Sequence, residues 1–149
     1  MIPRPASVLC LDLGHKRIGL AGCDPLGLTV TQLRPIHRKT FKEDLELIKS
    51  LCISRKVVGL IIGLPLDKNG QLTNQAKHCL NYGRKIAKEI NLPLAWVNEH
   101  SSSWEAQQKH NLKKDRSGRL DSAVAALLLE QWLIEGSMLQ INEETHLFE

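Results

Sequence analysis

Three carboxylates, Asp12, Glu99 and Asp121, occupy places in the sequence from which acids can do chemistry. Asp12 interrupts Ser7-Val8-Leu9-Cys10-Leu11-Asp12-Leu13-Gly14, where five of the six residues from Val8 to Leu13 are apolar. Such a run reads as a central strand buried on both faces, and a carboxylate there needs a partner, a metal or a raised pKa. Glu99 stands at the carboxyl end of the short apolar run Leu94 to Val97. Asp121 opens the last apolar helical stretch, in which positions 121, 124, 125, 128 and 132 share one face. Taken singly, each has an ordinary alternative: a turn aspartate, a surface acid and a helix cap. Taken together they are three acids at strand and helix ends, and sites on open α/β sheets lie at the carboxyl ends of strands. Converging carboxylates repel unless a cation neutralises them. Hard oxygen donors with open positions suit Mg²⁺ or Mn²⁺, one ion or two. A pair of ions about 3.5–4 Å apart can activate water and stabilise the leaving oxygen of a phosphodiester. No Cys, Ser or His nucleophile is required.

The elements that must position these acids follow from the periodicity. Val8–Leu13, Ile18–Cys23 and Leu28–Leu33 read as three strands joined by the turns His15-Lys16-Arg17 and Asp24-Pro25-Leu26-Gly27, an antiparallel meander. Thr40-Phe41-Lys42-Glu43 fits a capping box, with Phe41, Leu45, Ile48, Leu51 and Cys52 following at helical spacing. Val57–Ile62 is a continuous apolar run, as in a buried parallel strand. A long amphipathic helix is expected from Thr73 until Asn91 and Pro93 stop it, then a fifth strand over Leu94–Val97. Ser102-Ser103-Trp104-Glu105 should open a helix to Asn111, and Leu120–Leu133 the last one. The expected fold is α/β: a five-stranded mixed sheet, three strands antiparallel and two parallel, flanked by helices. Trp132, Leu133 and Ile134 are expected to be partly exposed, and the choice between monomer and homodimer stays open.

The bulk properties limit the partners. With 149 residues, 42% of them hydrophobic, and no linker or repeat, one domain over 1–149 is expected. The longest apolar run, Val57 to Leu66, is ten residues and too short for a membrane span. With no signal-peptide cleavage pattern, a soluble cytoplasmic protein with no membrane partner is expected. Cys10, Cys23, Cys52 and Cys79 lie far apart, two on strands and two on helix faces, and read as packed thiols rather than zinc ligands. The formal net charge of +4 is unevenly spread: Lys109, Lys113, Lys114, Arg116 and Arg119 crowd one loop with Asp115 the one acid. Arg34, Arg38, Lys39 and Lys42 form a second basic cluster. Basic loops on a near-neutral body suit a phosphate backbone. Lys113, Lys114, Arg116 and Arg119 are therefore assigned to nucleic acid, with Lys16 and Arg17 nearer the acids.

Four stretches stand in order along the chain: Leu11-Asp12-Leu13-Gly14 with Lys16-Arg17-Ile18-Gly19, Gly63-Leu64-Pro65-Leu66 with Asn69-Gly70, Asn98-Glu99-His100-Ser101-Ser102-Ser103-Trp104-Glu105-Ala106, and Leu120-Asp121-Ser122-Ala123. In order and spacing they resemble the motifs of the YqgF/RuvX family of ribonuclease H-like nucleases. The resemblance covers Val8 to Gly136. It implies a ribonuclease H-like fold and metal-dependent cleavage of structured nucleic acid, with the acidic triad on Asp12, Glu99 and Asp121. Two substrates are implied: pre-16S rRNA at its 5′ end, with ribosomal particles as partners, or a four-way DNA (Holliday) junction by similarity to RuvC. The chain departs from the family pattern at His100, where Arg is usual. Histidine is mostly neutral at pH 7 and cannot form the bidentate fork an arginine gives a phosphate.

Two other readings compete. One is an RNA-binding ribosome-assembly factor of the same fold that cleaves weakly. The other is an actin-like nucleotide-binding protein, which shares an Asp-Leu-Gly phosphate loop. Such proteins carry two copies of the fold, and 149 residues hold one.

Overall fold

The computed structural model describes residues 6–98, 119–135 and 139, with the backbone alone for 119–121 and 135. The chain begins with strands β1 (Val8–Leu13), β2 (Arg17–Cys23) and β3 (Val30–His37). Helix α1 (Phe41–Ser54), β4 (Gly59–Leu64), α2 (Asn74–Ile90), β5 (Leu94–Asn98) and α3 (Arg119–Glu135) follow. The five strands form one sheet in the order β3-β2-β1-β4-β5. β1 and β3 run antiparallel to β2, and β4 joins β1 and β5 in parallel. The mixed sheet expected from the sequence is the one observed, with β1 at its centre. The helix expected over Ser102–Asn111 lies outside the described residues.

Strand alternation divides the core into two layers. Leu9, Leu11, Ile18, Leu20, Leu60, Ile62, Leu94 and Trp96 face α1 and α2 and pack with Ile48, Cys79 and Ile86. Val8, Cys10, Ala21, Cys23, Ile61, Ala95 and Val97 face α3 and pack with Ala125, Leu128, Leu129 and Trp132. Trp132 is fully buried here, against the partial exposure expected of it, while Ile134 is 81% exposed. Three consecutive helix positions cannot all share one face at 3.6 residues per turn.

Local chemistry sets the helix ends. The Thr40 hydroxyl accepts from the Glu43 amide at 3.2 Å and the Thr73 hydroxyl from the Ala76 amide at 3.0 Å, each capping its helix. α2 stops at Asn91, which takes the left-handed conformation (φ 62°).

Two strands start or end elsewhere than the alternation suggests. β3 begins at Val30, because Thr29 is drawn into the Asp24 turn: its amide and hydroxyl both donate to the Asp24 carboxylate. It then continues past Leu33 through Pro35 to His37. Gly19 is spanned by the pairs Ile18–Ile36 and Leu20–Leu33, which leaves Arg34 and Pro35 as a bulge on an edge strand. Proline is tolerated in such a place, since it has no amide to donate. β4 begins at Gly59 rather than Val57, because the Val57 amide is still bonded to the Cys52 carbonyl as α1 ends.

Candidate active site

Asp12 lies at the carboxyl end of β1 and is half-buried rather than fully buried. It has the parity of Val8 and Cys10, so it belongs to the face covered by α3. Its register partner on β2 is Gly19. On the other side Leu11 pairs with Ile62, so one residue further along Asp12 is succeeded on β4 by Gly63, which pairs with Val97 of β5. Asp12 thus has a glycine as its register partner on β2, and Gly63 is the next residue of β4 after the last β1–β4 pair. β5 ends at Asn98, and Glu99 is the next residue in sequence.

α3 crosses the same face, against β1, β2 and β3. Ser122 fixes its first turn. The buried hydroxyl donates to the Leu33 carbonyl at 2.7 Å and accepts from the Leu20 amide at 3.5 Å. Leu20 follows Gly19, the partner of Asp12, so the first turn of α3, which contains Asp121, lies beside the row that Asp12 occupies. Among the described residues no three His, Cys, Asp or Glu side chains form a metal-binding group. Glu99 lies outside those residues, and Asp121 is described by its backbone alone.

The end of β1 is held from the opposite layer. Gln75 Nε2 of α2 donates to the Leu13 carbonyl at 3.3 Å, and Arg38 Nη1 donates to the Gly14 carbonyl at 2.8 Å. The Gly14 amide closes the turn onto the Arg17 carbonyl at 2.9 Å. A Cβ on Gly14 would stand 2.8 Å from that carbonyl oxygen, so the close approach calls for glycine. Lys16, exposed, and Arg17, half-buried, lie in or beside this turn at the same rim as Asp12. Lys113, Lys114 and Arg116 fall outside the described residues, and Arg119 begins α3.

Sequence reasoning missed Ser122, Gln75 and Arg38 as positioning groups. A signal for Ser122 was present: positions 122, 125, 126 and 129 stand at helical spacing, with serine among apolar residues. Gln75 and Arg38 gave none, since their partners are backbone carbonyls more than twenty residues away.

No helix among the described residues is long and apolar enough to cross a membrane. The fold is similar to that of RuvC from T. thermophilus, solved in complex with a Holliday junction substrate, with a TM-score of 0.56 at 13% identity, over 87% of this chain and 95% of that one. A second RuvC structure, from Thermus thermophilus, gives a TM-score of 0.51 over 88% and 98%. This likeness bears out the ribonuclease H-like fold. A relative from Prochlorococcus marinus is 72% identical over 138 residues, 93% of this chain and 90% of the relative. Another, from Parasynechococcus marenigrum, is 63% identical over 139 residues, 93% and 88%. Both carry the name "Putative pre-16S rRNA nuclease". The family model described as "RuvX: Holliday junction resolvase" matches residues 6–135, and the chain belongs to that family.

Proposed function

We propose that this protein is a nuclease that hydrolyses phosphodiester bonds in structured nucleic acid, and that its reaction is 5′-end processing of pre-16S rRNA in the cytoplasm. The observation that carries the reading is the row through Asp12. A carboxylate at the carboxyl end of the central strand pairs with Gly19 on β2, on the face that α3 covers; Asp121 lies in the first turn of α3, and Glu99 follows β5, the strand beyond β4. Relatives 72% and 63% identical carry the pre-16S rRNA nuclease name, which favours that substrate over the four-way DNA junction of RuvC.

Asp12, Glu99 and Asp121 are the residues assigned to Mg²⁺ or Mn²⁺, and their oxygen donors fit such hard cations. Bound there, the metal would supply an activated water and charge neutralisation at the leaving oxygen. The chain's own contribution is placement. Gly19 adds no side chain beside Asp12, Ser122 fixes the helix that begins beside it, and Gln75 and Arg38 hold the turn after it. Lys16 and Arg17 flank the phosphate, while Lys113, Lys114, Arg116 and Arg119 hold the backbone further out and, through the pre-rRNA, engage ribosomal particles. The deciding experiment is cleavage of a pre-16S rRNA 5′ fragment and a four-way DNA junction side by side, wild type against Asp12→Asn. Cleavage of the RNA fragment that Asp12→Asn abolishes is the expected result. Cleavage of the junction alone would transfer the reading to a resolvase, and binding without cleavage would favour an assembly factor.

A further inference from the structure

On the other face of the sheet, the start of α1 and the middle of α2 enclose a cleft of about 300 Å³. Two rings form its wall: Phe41 and Tyr82 meet edge to face, 5.6 Å between centroids. A cation lies over each ring. The Arg38 guanidinium carbon is 4.7 Å from the Tyr82 centroid, and Lys85 Nζ is 4.3 Å from the Phe41 centroid. Lys39, exposed, lines the same cleft. The one acid in the lining, Asp44, is only 2% exposed and turned inward. Its oxygens accept from the Lys39 amide at 3.1 Å and the Tyr82 hydroxyl at 3.2 Å. Three cations and one acid leave a formal charge of 3 − 1 = +2 in a cleft whose acid is already committed to protein donors.

The rings do not serve as a stacking platform, since Tyr82 is 8% exposed. Their effect is to hold Arg38 and Lys85 in place, which reduces the side-chain entropy lost on binding an anion. The cleft also adjoins the carboxylate rim. Arg38 bonds to the carbonyl of Gly14, two residues past Asp12, a span of about 7 Å along a strand. A strand whose scissile phosphate lies at Asp12 and which rounds the turn beyond β1 meets these cations next. We propose that the Arg38–Lys39–Lys85 cleft is a subsite for a backbone phosphate of the substrate strand, flanking the bond that is cut. The proposal rests on the nuclease reading, and its test is read by binding, so the two can fail separately.

The probe is a fluorescein-labelled single-stranded RNA of about 20 nucleotides, bound to uncleaving Asp12→Asn protein and followed by anisotropy across about 50 to 200 mM salt. Two double variants are compared in that background: Lys39→Glu with Lys85→Glu in the cleft, and Lys49→Glu with Lys88→Glu, which make the same charge change outside its lining. All four lysines are exposed, so the fold should tolerate either pair. The cleft pair is expected to weaken binding about tenfold or more and to lower the salt slope by about 0.7, the equivalent of one single-strand phosphate. The other pair should change the slope by less than half of that. Equal effects from both pairs, or none from the cleft pair, would overturn the subsite even if the wild type cleaves RNA. A cleft-specific effect in a protein whose wild type never cleaves would retain the phosphate site and sink the nuclease reading.

Discussion

The Ser122 hydroxyl donates to the Leu33 carbonyl oxygen across 2.7 Å, joining the first turn of α3 to the edge strand of the sheet. It meets the sheet at the irregular step where Gly19 faces the Arg34–Pro35 bulge, and it also takes the Leu20 amide. A hydroxyl on a residue only 2% exposed therefore satisfies a donor and an acceptor at once. The Leu20–Leu33 pair beside the bulge supplies the groups, α3 supplies the hydroxyl, and the result fixes a helix start beside the partner of Asp12.

Ser122→Ala is expected to cost about 1–3 kcal/mol, because it strands buried backbone groups. Urea unfolding should show a lower midpoint at an unchanged slope. Ser122→Thr keeps the hydroxyl and should recover part of the loss. An alanine variant as stable as the wild type would mean that α3 is held by its apolar face alone.

Gly14→Ala tests the turn after β1. The new Cβ would stand 2.8 Å from the Arg17 carbonyl oxygen, so the turn must open. The expected cost is about 1–3 kcal/mol, as for other overpacked sites. Cleavage should fall more steeply than stability, since a shift of about 1 Å in a catalytic group can cost about 100-fold. Melting curves and initial rates on the same samples separate the two effects.

The sheet is legible in the sequence because its strands are so apolar. Val8–Leu13 shows its central place, and the capping threonine at position 40 shows where α1 starts. Alternation alone puts β3 too early and makes it too short, because a side-chain turn at Asp24 and a proline bulge override it. Asp12 is legible as a costly carboxylate in an apolar strand, but its glycine partner on β2 becomes visible only through register. Of the cleft at Arg38 the sequence shows the basic residues Arg38 and Lys39 but not the helix they meet. The cleft brings residues 38–44 against 78–85, and spacing within one helix carries no signal about which other helix it meets. Asp44 holds a faint clue, three residues after Phe41 on the buried side of α1.

The basic loop is assigned to nucleic acid on charge alone, and its test is correspondingly direct. Replacing Lys113, Lys114, Arg116 and Arg119 together by alanine should lower the salt slope of binding by about 0.7–0.9 for each phosphate that the loop neutralises. Affinity should fall similarly for unrelated sequences of the same structure, since phosphate contacts carry no base information. An unchanged slope would remove the loop from the interface.

The buried thiols predict an alkaline weakness. Burial pushes Cys52 from its ordinary 9.0 up to about 11, and burial also raises Cys23 and Tyr82, the last with help from the neighbouring Asp44. For Cys52 the unfolded chain loses its proton near pH 9 while the folded one keeps it. The stabilisation is complete below pH 9 and is lost as pH rises toward 11, by at most about 1.4 kcal/mol per unit. Cys52→Ala should flatten that part of the stability profile while lowering stability at neutral pH. Native protein at pH 8 should react slowly with a thiol reagent, and unfolded protein quickly.

The metal assignment can be tested without cleavage. If Asp12, Glu99 and Asp121 hold a divalent ion in the folded protein alone, Mg²⁺ at about 100 times its dissociation constant should add about 2.7 kcal/mol of stability. For a chain of this size that corresponds to a melting point higher by about 5–10 °C. Asp12→Asn is nearly isosteric at a half-buried position, so the fold should persist while the Mg²⁺-induced shift shrinks to less than half. Glu99→Gln and Asp121→Asn should shrink it likewise, and each should abolish cleavage. A turn aspartate with no metal to hold would behave differently: its replacement would leave the Mg²⁺ shift of the wild type intact. Melting curves of the four proteins in EDTA and in Mg²⁺ decide between these outcomes, and a full shift in Asp12→Asn would remove Asp12 from the metal site.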